Sequence, residues 1–236
     1  MEKNKFRIIM GVNMAIQTYL RQYQALFGNE LYVSKDQAKK NLDQTPNTLV
    51  SGNRDDLEQF KISICICQEC PLGKTRTNFV FGVGDPNADL MLVGEAPGEQ
   101  EDLKGEPFVG RAGKLLDDIL RAIQQKRGQG VYIANVLKCR PPNNRDPLPS
   151  EVEKCEPYLV KQIEKIQPKL IVALGRVAGK TLIKMDVPLK EMRGKTHDYH
   201  GTPLRVTYHP AALLRNSNFK KPTWDDFQWV RDFLNN

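Results

Sequence analysis

A chain of 236 residues, 40% hydrophobic and 27% charged, is long enough to bury one full core and has an ordinary globular composition. No run approaches the roughly 20 apolar residues that a membrane-spanning helix needs, so no membrane partner is expected. The formal charge of +7 points to a polyanionic partner without saying which. The five cysteines are an odd number, and the N-terminal MEKNKFRIIMGVNMAIQ is broken by Arg7 and Asn13, with no convincing cleavage site after it. A disulfide framework is therefore not expected, a cytoplasmic location is, and the thiols are best read as metal or cluster ligands.

In chain order, residues 1–55 read as an N-terminal extension: a helix carrying Ile16, Leu20, Tyr23 and Phe27, stopped at Gly28, then a polar linker from Ser34 to Asp56. The main domain is expected over 56–236. Four strands are predicted there, Asp89–Glu95, Val131–Leu137, Leu170–Gly175 and Leu204–His209, each rich in aliphatic or β-branched residues. Helices fall between them. One carries a stripe of Ala112, Leu116, Ile119 and Ile123. A second opens on a capping box of Ser150 and Glu153, turns Val152, Leu159, Ile163 and Ile166 inward, and is expected to kink at Pro157. This alternation predicts an α/β layered domain around a mostly parallel sheet, with ligands at the carboxyl ends of the strands.

The motifs fall at that edge. Gly94-Glu95-Ala96-Pro97-Gly98 follows the first strand, Asn135 lies in the second, and His209-Pro210-Ala211-Ala212-Leu213-Leu214-Arg215 follows the fourth. A Gly-rich turn at a strand end lets backbone approach a ligand, although a structural turn would explain GEAPG alone. Cys67 and Cys70 form a CxxC, and Cys139 and Cys155 are a second, spaced pair. Four thiolates from two pairs suit either a tetrahedral zinc or a four-iron cluster. Cys65 reads as a spare. From Lys184 to Lys221 eight Lys or Arg face three acidic residues, a candidate phosphate-binding face.

The strings CQECPLGKTRTNFVFGVGDPNADLMLVGEAPGEQEDLKGEPFVGRAGKLLDDIL, NVLKCRPPNNRDPLPSEVEKCEPYL, LIVALG and HPAALLRN resemble, in order and spacing, the segments of the family-4 uracil-DNA glycosylases from about Ile64 onward. The resemblance implies a glycosylase-like catalytic domain over 56–236, of three-layer α/β/α build with a central four-stranded, mostly parallel sheet. It also implies a structural [4Fe–4S] cluster on Cys67, Cys70, Cys139 and Cys155. The implied partner is uracil-containing DNA, single- or double-stranded, met by a monomer. Residues 1–55 lie outside it.

By the same resemblance Phe108 stacks on a flipped uracil, Asn135 reads its N3–H and O4, and Gly94 and Ala96 line the pocket turn. His209 matches the donor to O2 of the departing base. Glu95 and Glu101 are the carboxylates left to orient water, because Ala96 stands where some other glycosylase families place an aspartate. Glu101 bracing Asn135 is the alternative, with Glu99 and Asp102 as solvated charges. Leu213 or Leu214 would fill the gap left by the flipped base, and Arg215, Lys220 and Lys221 would meet phosphates. His197 and His200 are bystanders. No lysine stands out as an amine nucleophile, so a monofunctional enzyme is expected. The competing reading is a noncatalytic nucleic-acid-binding module with a zinc or iron–sulfur site. A zinc deaminase lacks its H-x-E and P-C-x-x-C signature here.

Overall fold

A computed structural model describes residues 51–235. The helix expected over Ile16–Phe27 lies outside these residues. The elements are α1 (Ser51–Ile64), α2 (Leu72–Thr75), β1 (Val83–Gly84), β2 (Leu90–Gly94), α3 (Glu99–Lys104), α4 (Arg111–Ala122), β3 (Lys126–Arg127), β4 (Gly130–Asn135), α5 (Pro149–Ile166), β5 (Leu170–Leu174), α6 (Arg176–Ile183), α7 (Leu189–Met192), β6 (His197–Tyr199), β7 (Thr202–Thr207), α8 (Pro210–Arg215) and α9 (Lys220–Leu234). Helix α1 begins inside the stretch read as a linker and crosses the 55/56 boundary.

All four predicted strands form, in the parallel order β4-β2-β5-β7. The sheet is wider than the four strands expected: it has seven. Short β1 and β3 both pair with β4, and β6 pairs antiparallel with β7. These additions pair with the outer strands and leave the parallel core intact. Every residue of β2 and β5 is buried, as a parallel sheet covered on both faces requires.

The pleat divides the core in two. Met91, Val93, Tyr132, Ala134, Ile171, Ala173, Leu204 and Val206 face Leu57, Phe60, Leu159, Ile163, Ala178, Leu182 and Met192 from α1, α5, α6 and α7. On the opposite face Leu90, Leu92, Val131, Ile133, Leu170 and Val172 pack on Leu116, Leu120, Phe227 and Val230 from α4 and α9. Helices on both faces of one sheet make the expected three layers. The chain leaving β2 passes to one face and the chains leaving β4 and β5 pass to the other. The carboxyl end of β2 is therefore the switch point of the sheet, the place where α/β sheets hold their ligands.

Two local expectations change. Helix α5 is capped by Glu151, which accepts from the Leu148 N–H at 2.9 Å and pairs with Arg145, so Ser150 and Glu153 are not its capping box. It also runs on through Pro157. On α4 the buried stripe is Gly113, Leu116 and Leu120, continued by Ile123, with Ala112 and Ile119 at its margin.

Candidate active site

Gly94, the last residue of β2, is in register with Asn135, the last of β4. A Cβ on Gly94 would overlap Asn135 Oδ1 and come within 2.8 Å of Phe108 Cζ, so the bare backbone is what lets both side chains converge. Asn135 is 2% exposed, and among the described residues no hydrogen bond engages its side-chain amide. An amide without a protein partner at a strand end can offer a donor and an acceptor to a planar ligand.

Phe108 is 6% exposed and sits at φ +56°, a left-handed conformation that costs a non-glycine residue about 1–3 kcal/mol. Its surroundings hold it there. Arg127 donates to the carbonyls of Pro107 at 2.8 Å and Phe108 at 2.9 Å, and its Nε pairs with Asp117 at 3.0 Å. Glu101 Oε1 accepts from the N–H groups of Val109 at 3.2 Å and Gly110 at 3.4 Å. At Gly113 any Cβ would collide with the Phe108 carbonyl, so α4 can press directly against the loop. Glu101 is thus engaged with the Phe108 loop. Asp102 is buried and accepts from the N–H groups of Thr77 and Asn78, so it is not a solvated charge.

His209 caps α8, its Nδ1 accepting from the Ala211 N–H at 3.1 Å. Burial, aided by the Arg215 charge, lowers its pKa to about 4. The ring is therefore neutral, and with Nδ1 accepting, its proton resides on Nε2. Gly175, at φ +98°, lets β5 approach it: a Cβ there would lie 3.1 Å from His209 Cβ. Glu95, just beyond Gly94, has its pKa raised to about 7 by burial and by the Asp146 charge, with Arg176 opposing. His197 contacts the Met192 carbonyl and His200 meets the Tyr199 ring edge-on, both outside this group.

In α8, the short helix after β7, Leu213 is 4% exposed and Leu214 is 45% exposed. Only Leu214 projects outward. Arg215, Lys220 and Lys221 are exposed nearby. The basic stretch does not form one continuous face, because Lys184 pairs with Glu156, Arg193 with Asp226, and Arg205 is buried over the Trp229 ring.

Cys67, Cys70, Cys139 and Cys155 line one cavity with Arg76, Phe79 and Tyr158. None of them forms a disulfide. Donors already point at the sulfurs: Arg76 to Cys139 and Tyr158 to Cys67, each at 3.3 Å, and the Lys138 N–H to Cys155 at 3.3 Å. Among the described residues no group of three or more ligating side chains is gathered closely enough to hold a single metal ion. Cys65 lies apart from this cavity, its Sγ turned to the Ile62 carbonyl.

Sequence reasoning missed Arg127, Asp117, Lys138, Asp146 and Arg176. All are charged residues that composition assigns to the surface by default.

The uracil DNA glycosylase superfamily model matches residues 81–228. The chain is 47% identical over 184 residues to a type-4 uracil-DNA glycosylase of Archaeoglobus fulgidus, covering 75% of this chain and 92% of that protein. To the type-4 enzyme of Sulfurisphaera tokodaii it is 45% identical over 75% of this chain and 84% of the other. To that of Saccharolobus solfataricus it is 43% identical over 76% and 87%. These matches establish that the chain belongs to the uracil-DNA glycosylase superfamily.

Proposed function

We propose that this protein is a monofunctional uracil-DNA glycosylase that flips uracil out of DNA and hydrolyses its N-glycosidic bond, leaving an abasic site for base excision repair. The observation that carries the reading is the convergence of Phe108, Asn135 and a neutral, Nε2-protonated His209 at the carboxyl end of the sheet.

The flipped base stacks on Phe108. The Asn135 amide donates to O4 and accepts from N3–H, a pattern that cytosine reverses. As the bond breaks the uracil becomes anionic, and the His209 Nε2–H meets charge developing on O2; a preorganised donor of this kind is worth about 3–4 kcal/mol. Ionised Glu95 orients water toward the cationic sugar. Glu101 acts through the Phe108 loop that it holds. Gly94 and Ala96 line the turn. Lys138, whose Nζ is buried and bonded to Asn135 O and Gln162 Oε1, is not free to attack the sugar, which supports the monofunctional reading.

Cys67, Cys70, Cys139 and Cys155 would hold a [4Fe–4S] cluster. Four thiols from two separated segments line one cavity, a donor set that would give one thiolate to each iron of a cubane. Burial raises the Cys155 thiol to about 12, so loading would displace its proton. When bound, the cluster would tie the segment at Cys67 to the loop after β4. Leu214 is the residue to enter the base stack, Leu213 the one that packs beneath it, and Arg215, Lys220 and Lys221 meet phosphates. No described helix is long and apolar enough to cross a membrane. A cytoplasmic monomer acting on single- or double-stranded DNA completes the proposal.

The test uses end-labelled oligonucleotides with one uracil, single-stranded or opposite guanine, followed by alkali. Release by the wild type and loss in His209→Ala and Asn135→Ala would support the reading. DNA binding without release on either substrate would favour the noncatalytic module.

A further inference from the structure

Lys138 has no exposed surface. Its ammonium donates to the Asn135 carbonyl at 2.7 Å and to Gln162 Oε1 at 2.6 Å. Gln162, also fully buried on α5, donates onward to the Phe81 carbonyl at 2.8 Å and the Tyr132 hydroxyl at 3.5 Å. Phe81 leads into β1 and Tyr132 lies in β4, so the lysine is tied to a helix and to the strand that ends in Asn135.

A buried ammonium is a poor choice for stability alone, since an apolar side chain of similar volume would fill the space without desolvating a charge. What an apolar residue could not do is hold a carbonyl. Past the end of β4 the chain keeps donating to β2, Val136 N–H to the Gly94 carbonyl at 2.9 Å and Leu137 N–H to the Glu95 carbonyl at 3.0 Å. The Asn135 carbonyl is taken by Lys138, which fixes the peptide plane from which the Asn135 side chain projects.

We propose that Lys138, seated by Gln162, is a positioning residue that sets the orientation of the base-reading Asn135. This rests on the base-reading role of Asn135 proposed above. Lys138 touches no substrate atom. Its effect is on how well the amide fits uracil, so its removal shows in uracil affinity and in rate, and only while Asn135 is present.

The experiment is a double-mutant cycle in single-turnover excision from a single-stranded uracil oligonucleotide, with inhibition by free uracil, iron content and melting temperature measured in parallel. Lys138→Met should slow excision about tenfold or more and weaken inhibition by free uracil, yet change the rate less than about threefold in an Asn135→Ala background. Lys138→Met/Gln162→Leu, which removes both partners of the buried pair, should behave alike if the single variant folds poorly. Equal losses in both backgrounds, or no loss in either, would overturn the proposal. If Asn135→Ala alone leaves excision unchanged, the base-reading role has failed and the proposal falls with it; equal losses beside a damaging Asn135→Ala would sink Lys138 alone.

Discussion

The Phe108 and His209 rings face one another with centroids 5.4 Å apart and planes inclined by 28°. One arrives on the strained loop after α3, the other at the cap of α8, about 100 residues later. Two aromatic rings are thus brought together at the carboxyl edge of a parallel sheet, where the proposed reading places the flipped base.

That pairing depends on the clamp behind Phe108. Arg127→Met should free two carbonyls and relax the left-handed residue, lowering stability by about 1–3 kcal/mol. It should also cut kcat/KM roughly tenfold to a hundredfold. Denaturant melts and excision kinetics measure both, and unchanged kinetics in a folded variant would contradict the clamp.

Gly94→Ala should do the reverse of most core changes, sparing the fold more than the function. The added methyl meets side-chain ends, Asn135 Oδ1 and the Phe108 ring edge, which can move at modest cost. Excision should fall about a hundredfold or more while the melting temperature shifts by only a few degrees.

Glu95 predicts the pH dependence. Its folded pKa of about 7 lies above the usual 4.5, and in the proposed mechanism the ionised form orients water. The plot of kcat/KM should therefore rise up to tenfold per pH unit below 7 and level off above it. His209, at about 4, adds no limb in that range. Asp146→Asn should move the limb to lower pH and Arg176→Met to higher pH. A profile flat in the wild type from pH 5.5 to 8.5 would contradict the assignment.

The same group acts on stability with a definite sign. A carboxyl with a raised folded pKa binds its proton more tightly in the native state, so native stability falls as pH climbs from about 4.5 to 7. Glu95→Gln removes that loss. It should be more stable than the wild type by roughly 1–3 kcal/mol at pH 8 and equal to it near pH 4, as read by urea unfolding.

The parallel core was legible because its strands are short unbroken apolar runs, such as Leu170–Leu174, and because Asn135 and His209 sit where such runs end. Strands β1 and β3 have two residues each, too few for any periodicity to register. Helix α1 begins in SGNRDD, a polar string that reads as a linker until its apolar positions meet α5 and the sheet. Arg127 lies in KRGQG, which has the chemistry of an exposed turn, and Lys138 is indistinguishable in sequence from a surface lysine. Only tertiary contacts reveal that one holds a loop and the other a carbonyl. The basic stretch misleads for the same reason: Arg205 alternates inward on β7, and Arg193 finds Asp226 on α9.

A glycosylase breaks the glycosidic bond and leaves two products. The most direct measurement is mass spectrometry of both products after the protein acts on a DNA strand with a single uracil. Free uracil should appear together with an intact strand carrying one abasic site, and neither product when His209 is replaced by alanine. Strands recovered with uracil still attached, from protein that demonstrably binds them, would contradict the proposed activity.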